Sequence, residues 1–268
     1  MSLQTNPFFL LIVFIVGACV GSFLNVCIYR IPRDISIVSP RSFCPLCGEP
    51  IAWYYNLPII SWIGLGGKTQ CCGTPFSWRY PFVELLTASL FTLLFFQFHW
   101  ATALAYSILC ALLIIGFFTD LDHLMIPDAV TVGGFFLGII ASTLLPELHD
   151  TLNRWNALKQ AASGAFVGAG ILGVVAWVGG RVLKKEAMGM GDVKLMACLG
   201  AFLGWQATLF CIMIGSLIGT VIGIGILIAQ RKKWGSHVML PFGPPLMIAA
   251  IFWILGGKKI WQTYWLTL

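Results

Sequence analysis

Long apolar runs decide the architecture of this chain before any single residue does. Stretches of about 20 residues, enough to cross ~30 Å of hydrocarbon as helix, lie near 8–29, 81–98, 101–119, 129–146, 161–183, 194–210, 211–229 and 243–257. Of 268 residues 59% are hydrophobic and 10% charged, and the mean hydropathy is +0.90. A soluble domain carries roughly 45–50% apolar residues. The fold class is therefore all-α, a polytopic integral membrane protein of about eight transmembrane helices with one small cysteine-containing loop domain. The boundary between the two spans near 210 is the weakest, because Gly200, Gly204 and Trp205 sit where one span must turn into the next.

No charged side chain precedes Pro7, so the basic segment of a cleavable signal peptide is missing, although Ala18 and Gly21 have the look of a cleavage site. Residues 1–29 read as a retained first span. Cytoplasmic loops hold an excess of lysine and arginine. With the amino terminus outside, one face collects Arg30, Arg33, Arg41, Lys68, Arg79, Arg181, Lys184, Lys185, Lys194, Arg231, Lys232 and Lys233, and the other only Arg154, Lys159, Lys258 and Lys259. The loops around 30–80, 120–128, 181–194 and 230–242 thus face the cytoplasm and both termini lie outside it. The net charge of +6 reflects topology and contact with anionic membrane lipid, with no nucleic-acid partner expected.

Residues 30–80 form a hydrophilic cytoplasmic domain with an internal repeat, "CGEPIAW" from Cys47 and "CGTPFSW" from Cys72. Cys44 and Cys47 have the C-x₂-C spacing that lets two thiolates of a tight turn share a tetrahedral zinc. The repeat register sets Thr69 opposite Cys44, and the remaining sulfur comes from Cys71, beside Cys72. The candidate ligands are Cys44, Cys47 and Cys72, with Cys71 as fourth only if the backbone between the neighbours is unusual. Reduced thiols without metal are the alternative. Cys19, Cys27, Cys110, Cys198 and Cys211 lie in apolar spans and read as small core residues. "GLGG" at 64–67 reads as a flexible turn.

Of the ten acids, most have plain explanations: Asp34, Glu49, Glu147 and Asp150 lie in loops, Glu186 in a charged flank, and Asp128 caps the following span. Glu84, one turn into the second span, has no such ready explanation. Asp120 and Asp192 stand apart. The third span begins near Ala101 and about 19 residues at 1.5 Å carry it ~28 Å, which delivers Asp120 to the cytoplasmic boundary where Asp192 opens the sixth span. Two facing carboxyls at an apolar boundary share one proton, and so offer a base and an acid together. Gly189 and Gly191, lacking Cβ atoms, let an extended substrate backbone approach Asp192. Acids inside membranes also mark transporters, so a polytopic proton-coupled transporter is the alternative; the confinement of the acids to one face favours chemistry.

"GMGD" (189–192) with "TDLDHLMIPD" (119–128) resembles the bacterial type IV prepilin leader peptidases, membrane aspartic proteases of the GxGD kind. "GSFLNVCIYRIP" (21–32), the cysteine loop, "RYPFVELL" (79–86), "MGMGDVKLMACLGAFLGW" (188–205) and "PFGPPLMIAAIF" (241–252) resemble the family in the same order. The resemblance implies a bacterial inner-membrane enzyme that cleaves the leader of type IV prepilins or type II secretion pseudopilins after a glycine at the cytoplasmic face. It also implies N-methylation of the new amino terminus with S-adenosylmethionine. Residues 81–268 would then be the transmembrane peptidase domain, with Asp192 as the GxGD acid and Asp120 its partner. Asp122 competes for the second role, and a GxGD relative acting on other membrane substrates is a further possibility. The peptidase chemistry requires no cofactor. The family usually has two C-x₂-C pairs, and Thr69 breaks the second here.

Overall fold

A computed structural model describes residues 6–39, 42–44, 46–184, 188–229 and 241–266. Regular structure among these is helical: α1 (Pro7–Arg30), α2 (Ile60–Gly64), α3 (Arg79–Gln97), α4 (Trp100–His123), α5 (Asp128–Leu144), α6 (Arg154–Leu183), α7 (Met190–Ala229), α8 (Gly243–Phe252) and α9 (Lys258–Leu266). Short 3₁₀ turns cover Ile31–Arg33, Trp53–Asn56 and Pro146–His149, and a π-helical turn, Trp253–Gly257, joins α8 to α9. Arg41, Lys185, Glu186, Arg231, Lys232 and Lys233, which entered the charge count, lie outside the described residues.

Among the described residues five helices are long and apolar enough to cross a membrane: α1 continued to Arg33, α3, α4, α6 up to Val182, and α7. The apolar α5, with 17 residues, is shorter. The chain is a multi-pass, all-α membrane protein. The two runs on either side of residue 210 form one 40-residue element bent at Gly204 (φ 82, ψ 176), a conformation only glycine adopts cheaply. Large apolar side chains point outward, Phe166 at 81% exposure and Ile228 at 73%, as expected where the solvent is hydrocarbon.

The chain divides into two compact units, Met1–Ile115 and Gly116–Leu268, the division falling within α4. In the first, α1 starts at an N-cap, Asn6, whose side chain accepts from the Phe8 N–H at 2.9 Å, with Pro7 at the first helical position. Gly17 and Gly21 let α1 lie against α3. A Cβ at Gly17 would stand 2.8 Å from the Ala88 Cα, and one at Gly21 2.7 Å from the Glu84 Cα. This small-xxx-small pair is used inside the fold.

In the second unit α5, α6 and α8 pack on α7 through further glycines. A Cβ at Gly168 would meet the Met196 carbonyl at 2.6 Å, at Gly138 the Phe202 ring at 2.8 Å, and at Gly215 Leu246 at 2.8 Å. Near the Gly204 bend, the Ala201 carbonyl accepts from the Ser142 hydroxyl at 2.8 Å. Ser142 has one proton to give, so at 2.8 Å from it Nε2 of His149 must be the donor.

Two sequence expectations are corrected here. Asp128 is not a cap: Pro127 holds that position, without a side-chain cap bond, and the Asp128 carboxylate pairs with Lys194 Nζ at 2.6 Å. Cys27, Cys110, Cys198 and Cys211 are buried as expected, whereas Cys19 is exposed on α1.

Candidate active site

Asp120 lies one turn before the end of α4, and Asp192 in the first turn of α7, so the two carboxyls come from helix ends that meet in one unit. Both are buried, at 5% and 8% exposure, and Asp192 lies within electrostatic reach of Asp120. Asp122, the competitor, is exposed. It lies two positions further along the same helix, a rotation of about 200° that carries it to the other face. His123 is exposed as well.

The segment between α4 and α5 closes the site. Leu124 takes a left-handed conformation (φ 53) and its N–H bonds back to the Asp120 carbonyl at 2.9 Å, which ends α4 and turns the chain. Ile126 then packs against Gly191 on one side and Gly243 on the other. Gly243, the first residue of α8, donates its N–H to Asp120 Oδ2 at 3.2 Å. A Cβ there would sit 2.6 Å from that oxygen and 2.9 Å from Ile126. This residue was missed in the sequence, where it was only part of "PFGPPLMIAAIF"; the glycine ahead of two prolines at a helix start was the available signal.

Gly189 and Gly191 behave differently. Among the described residues, a Cβ at Gly189 would find only Asp192 Oδ2, at 3.7 Å, and one at Gly191 only Ile126, at 3.5 Å and beyond. Neither has a positive φ. Among the described residues, packing does not demand glycine at either position; Ile126 covers the Gly191 side, and the Gly189 side is open beside the Asp192 carboxyl.

The cysteine loop, in the first unit, is built of two copies of one turn. In the first, Cys44 N–H bonds to Glu49 O and Gly48 N–H to Cys44 O; in the second, Thr69 N–H bonds to Thr74 O and Gly73 N–H to Thr69 O. Gly48 (φ 73) and Gly73 (φ 65) occupy matching left-handed positions, and the isolated bridges Phe43 with Pro50 and Lys68 with Pro75 flank the copies. Thr69 thus replaces a cysteine, as the register predicted. Cys71 nonetheless joins the group: the Cys47 and Cys71 sulfurs are 3.3 Å apart, Cys44 and Cys72 3.6 Å, Cys71 and Cys72 3.9 Å, and all four lie within 4.8 Å of one another. Sulfurs on a tetrahedral zinc, each bonded at about 2.3 Å, stand ~3.8 Å apart, so this set fits one ion. The hydroxyls of Thr69 and Thr74, 3.3 and 2.9 Å from Cys72 Sγ, lower its pKa to about 6. The backbone N–H groups of Cys47 and Leu46 likewise lower that of Cys44. Thiolates are the ligand form.

A helical multi-pass membrane protein with two buried aspartates at the ends of separate helices is the class this geometry defines. Residues 15–98 match the bacterial peptidase A24 N-terminal domain, and residues 107–224 match the type IV leader peptidase family. Three curated relatives are each described as a prepilin leader peptidase/N-methyltransferase. That of Myxococcus xanthus is 43% identical over 228 residues, 85% of this chain and 66% of the relative. That of Aeromonas hydrophila is 34% identical over 279 residues, 94% and 92%, and that of Pseudomonas aeruginosa 34% over 288 residues, 98% and 96%. No solved structure matches. The chain belongs to the type IV leader peptidase family, and the comparisons give the transporter alternative no support.

Proposed function

We propose that this protein is a bacterial inner-membrane aspartic endopeptidase that removes the leader of type IV prepilins or pseudopilins after a glycine at the cytoplasmic face. It then methylates the exposed amino terminus. Both chain termini lie outside the cytoplasm in this reading. The observation that carries it is the pairing of buried Asp120 and Asp192, with room for a substrate backbone at Gly189.

Two carboxyls close together in an apolar setting hold one proton between them. The ionised member takes a proton from a water molecule, whose oxygen bonds to the scissile carbonyl carbon, while the protonated member gives its proton to the carbonyl oxygen. Collapse of the tetrahedral intermediate breaks the C–N bond; the leaving nitrogen takes a proton from the carboxyl that received the water's, and the other carboxylate takes one back from an intermediate hydroxyl, which restores the singly protonated pair. The Gly243 N–H fixes the rotamer of Asp120. The leader segment runs past Gly189, where no Cβ obstructs it.

Zinc would be held by Cys44, Cys47, Cys71 and Cys72, where it would supply folding energy to a loop too small for a core of its own. S-adenosylmethionine would supply an electrophilic methyl group to the deprotonated amine and leave as the neutral thioether.

Incubating membranes containing the wild-type chain with a full-length prepilin tests the reading by mass spectrometry. Loss of the leader and gain of one methyl group are expected. An intact prepilin, in membranes where the protein is inserted, would contradict it.

A further inference from the structure

One apolar side chain of the second unit touches three of the helices that meet at the aspartate pair. A Cβ at Gly116 of α4 would stand 3.5 Å from Ile126 Cγ2, one at Gly191 of α7 3.5 Å from its Cβ, and one at Gly243 of α8 2.9 Å from its Cδ1. Each helix thus presents a glycine to a different carbon of Ile126. The residue lies in the turn between α4 and α5, where side chains ordinarily face outward. Its neighbours Leu124 and Met125 do so, at 51% and 46% exposure, whereas Ile126 is only 8% exposed.

The backbone holds this side chain inward. Pro127 restricts the residue before it to an extended conformation. The Pro127 carbonyl in turn accepts from the Val130 N–H at 2.9 Å, which anchors the turn to α5. The decisive geometry is at Gly243: the place of its missing Cβ is 2.6 Å from Asp120 Oδ2 and 2.9 Å from Ile126 Cδ1. The terminal methyl group of Ile126 therefore stands beside the Asp120 carboxyl, while its Cβ faces Gly191, the residue before Asp192.

We infer that Ile126 is the specificity-determining residue that restricts the last leader residue to glycine. The inference rests on the peptidase reading above. Water attacks the carbonyl carbon of that last residue, so any side chain it carries leaves the backbone two bonds from the reacting carbon. Its Cβ must then find room among the groups flanking the two carboxyls. On the Asp120 side that room is taken by the Ile126 methyl group, and contacts on α4, α7 and α8 keep it from swinging aside. Glycine fits, whereas alanine needs the volume Cδ1 occupies. One methyl group against such a wall changes kcat/KM by roughly 10–200-fold.

Two prepilins that differ only in glycine or alanine before the scissile bond test the assignment, with kcat/KM measured for the full-length chain in lipid nanodiscs. The wild-type chain should favour the glycine form at least about tenfold. Ile126→Val deletes Cδ1 alone and keeps the β-branched shape. It should lower the glycine-to-alanine ratio at least about fivefold, and Ile126→Ala should lower it further. A side chain that only fills the core would, when trimmed, slow both substrates alike, and an unchanged ratio in both variants would overturn the inference. Equal cleavage of the two prepilins by the wild-type chain would overturn it without any variant. Failure of the wild-type chain to cleave even the glycine form would instead remove the peptidase reading, which separates the two failures.

Discussion

At the residue scale, a charge in an apolar helix costs enough that each one demands a reason, and that cost made Asp120 and Asp192 legible from sequence. The groups around them were not, because they act through backbone or through missing atoms. Gly243 contributes an N–H to Asp120 and leaves no room for a Cβ. Gly243→Ala should displace the Asp120 carboxyl and lower kcat for leader removal on the order of 10–100-fold with KM little changed, as misplacement of a reacting group by about 1 Å does. Steady-state kinetics on a prepilin would check this. Gly189→Ala is the contrasting case: the fold has room for the methyl group, so thermal stability should hold while kcat/KM falls because substrate loses its approach to Asp192. Asp128 shows the limit of local reading. Its place at the start of α5 suggested a cap, but the partner is Lys194, which no local pattern could reveal.

At the element scale, the apolar runs located the helices well because length and hydropathy are properties of contiguous sequence. The bend in α7 fell within the Gly200–Trp205 stretch that the sequence marked. Its support by Ser142 and His149 was invisible, since those residues belong to the end of α5 and the turn after it. This support is pH-sensitive. Burial, aided by the nearby Lys258 and opposed by Asp150, lowers the His149 pKa from 6.5 to about 4. Between those values the unfolded chain binds the extra proton, so the contribution of His149 is complete above about pH 6.5 and is lost as pH falls toward about 4. Thermal unfolding in detergent should show that slope, and His149→Gln should flatten it. Gly204→Ala should destabilise by about 1–3 kcal/mol, the cost of a Cβ in a φ/ψ region that is essentially glycine's alone.

At the scale of the whole molecule, two units hold two sets of chemical groups: the cysteine cluster in one, the aspartate pair in the other. The "CGEPIAW" and "CGTPFSW" repeat predicted two matching turns, and the turns are there. The recruitment of Cys71 was not legible, because it depends on how the second turn aims two adjacent sulfurs. The wild-type chain should contain about one zinc, measured by atomic absorption, and Cys47→Ser should lose it. Loss of zinc should impair methyl transfer more than leader removal, since the aspartates do not use the loop's metal. The claim on which the account turns is that Asp120, and not its neighbour Asp122, completes the site with Asp192. Rates of leader removal by Asp120→Asn, Asp122→Asn and Asp192→Asn, compared at equal levels of inserted protein, test it directly. The account predicts losses of about 10³-fold or more for the variants at 120 and 192, and a rate within a few-fold of wild type for the variant at 122. Persistent cleavage in Asp120→Asn together with its loss in Asp122→Asn would contradict it.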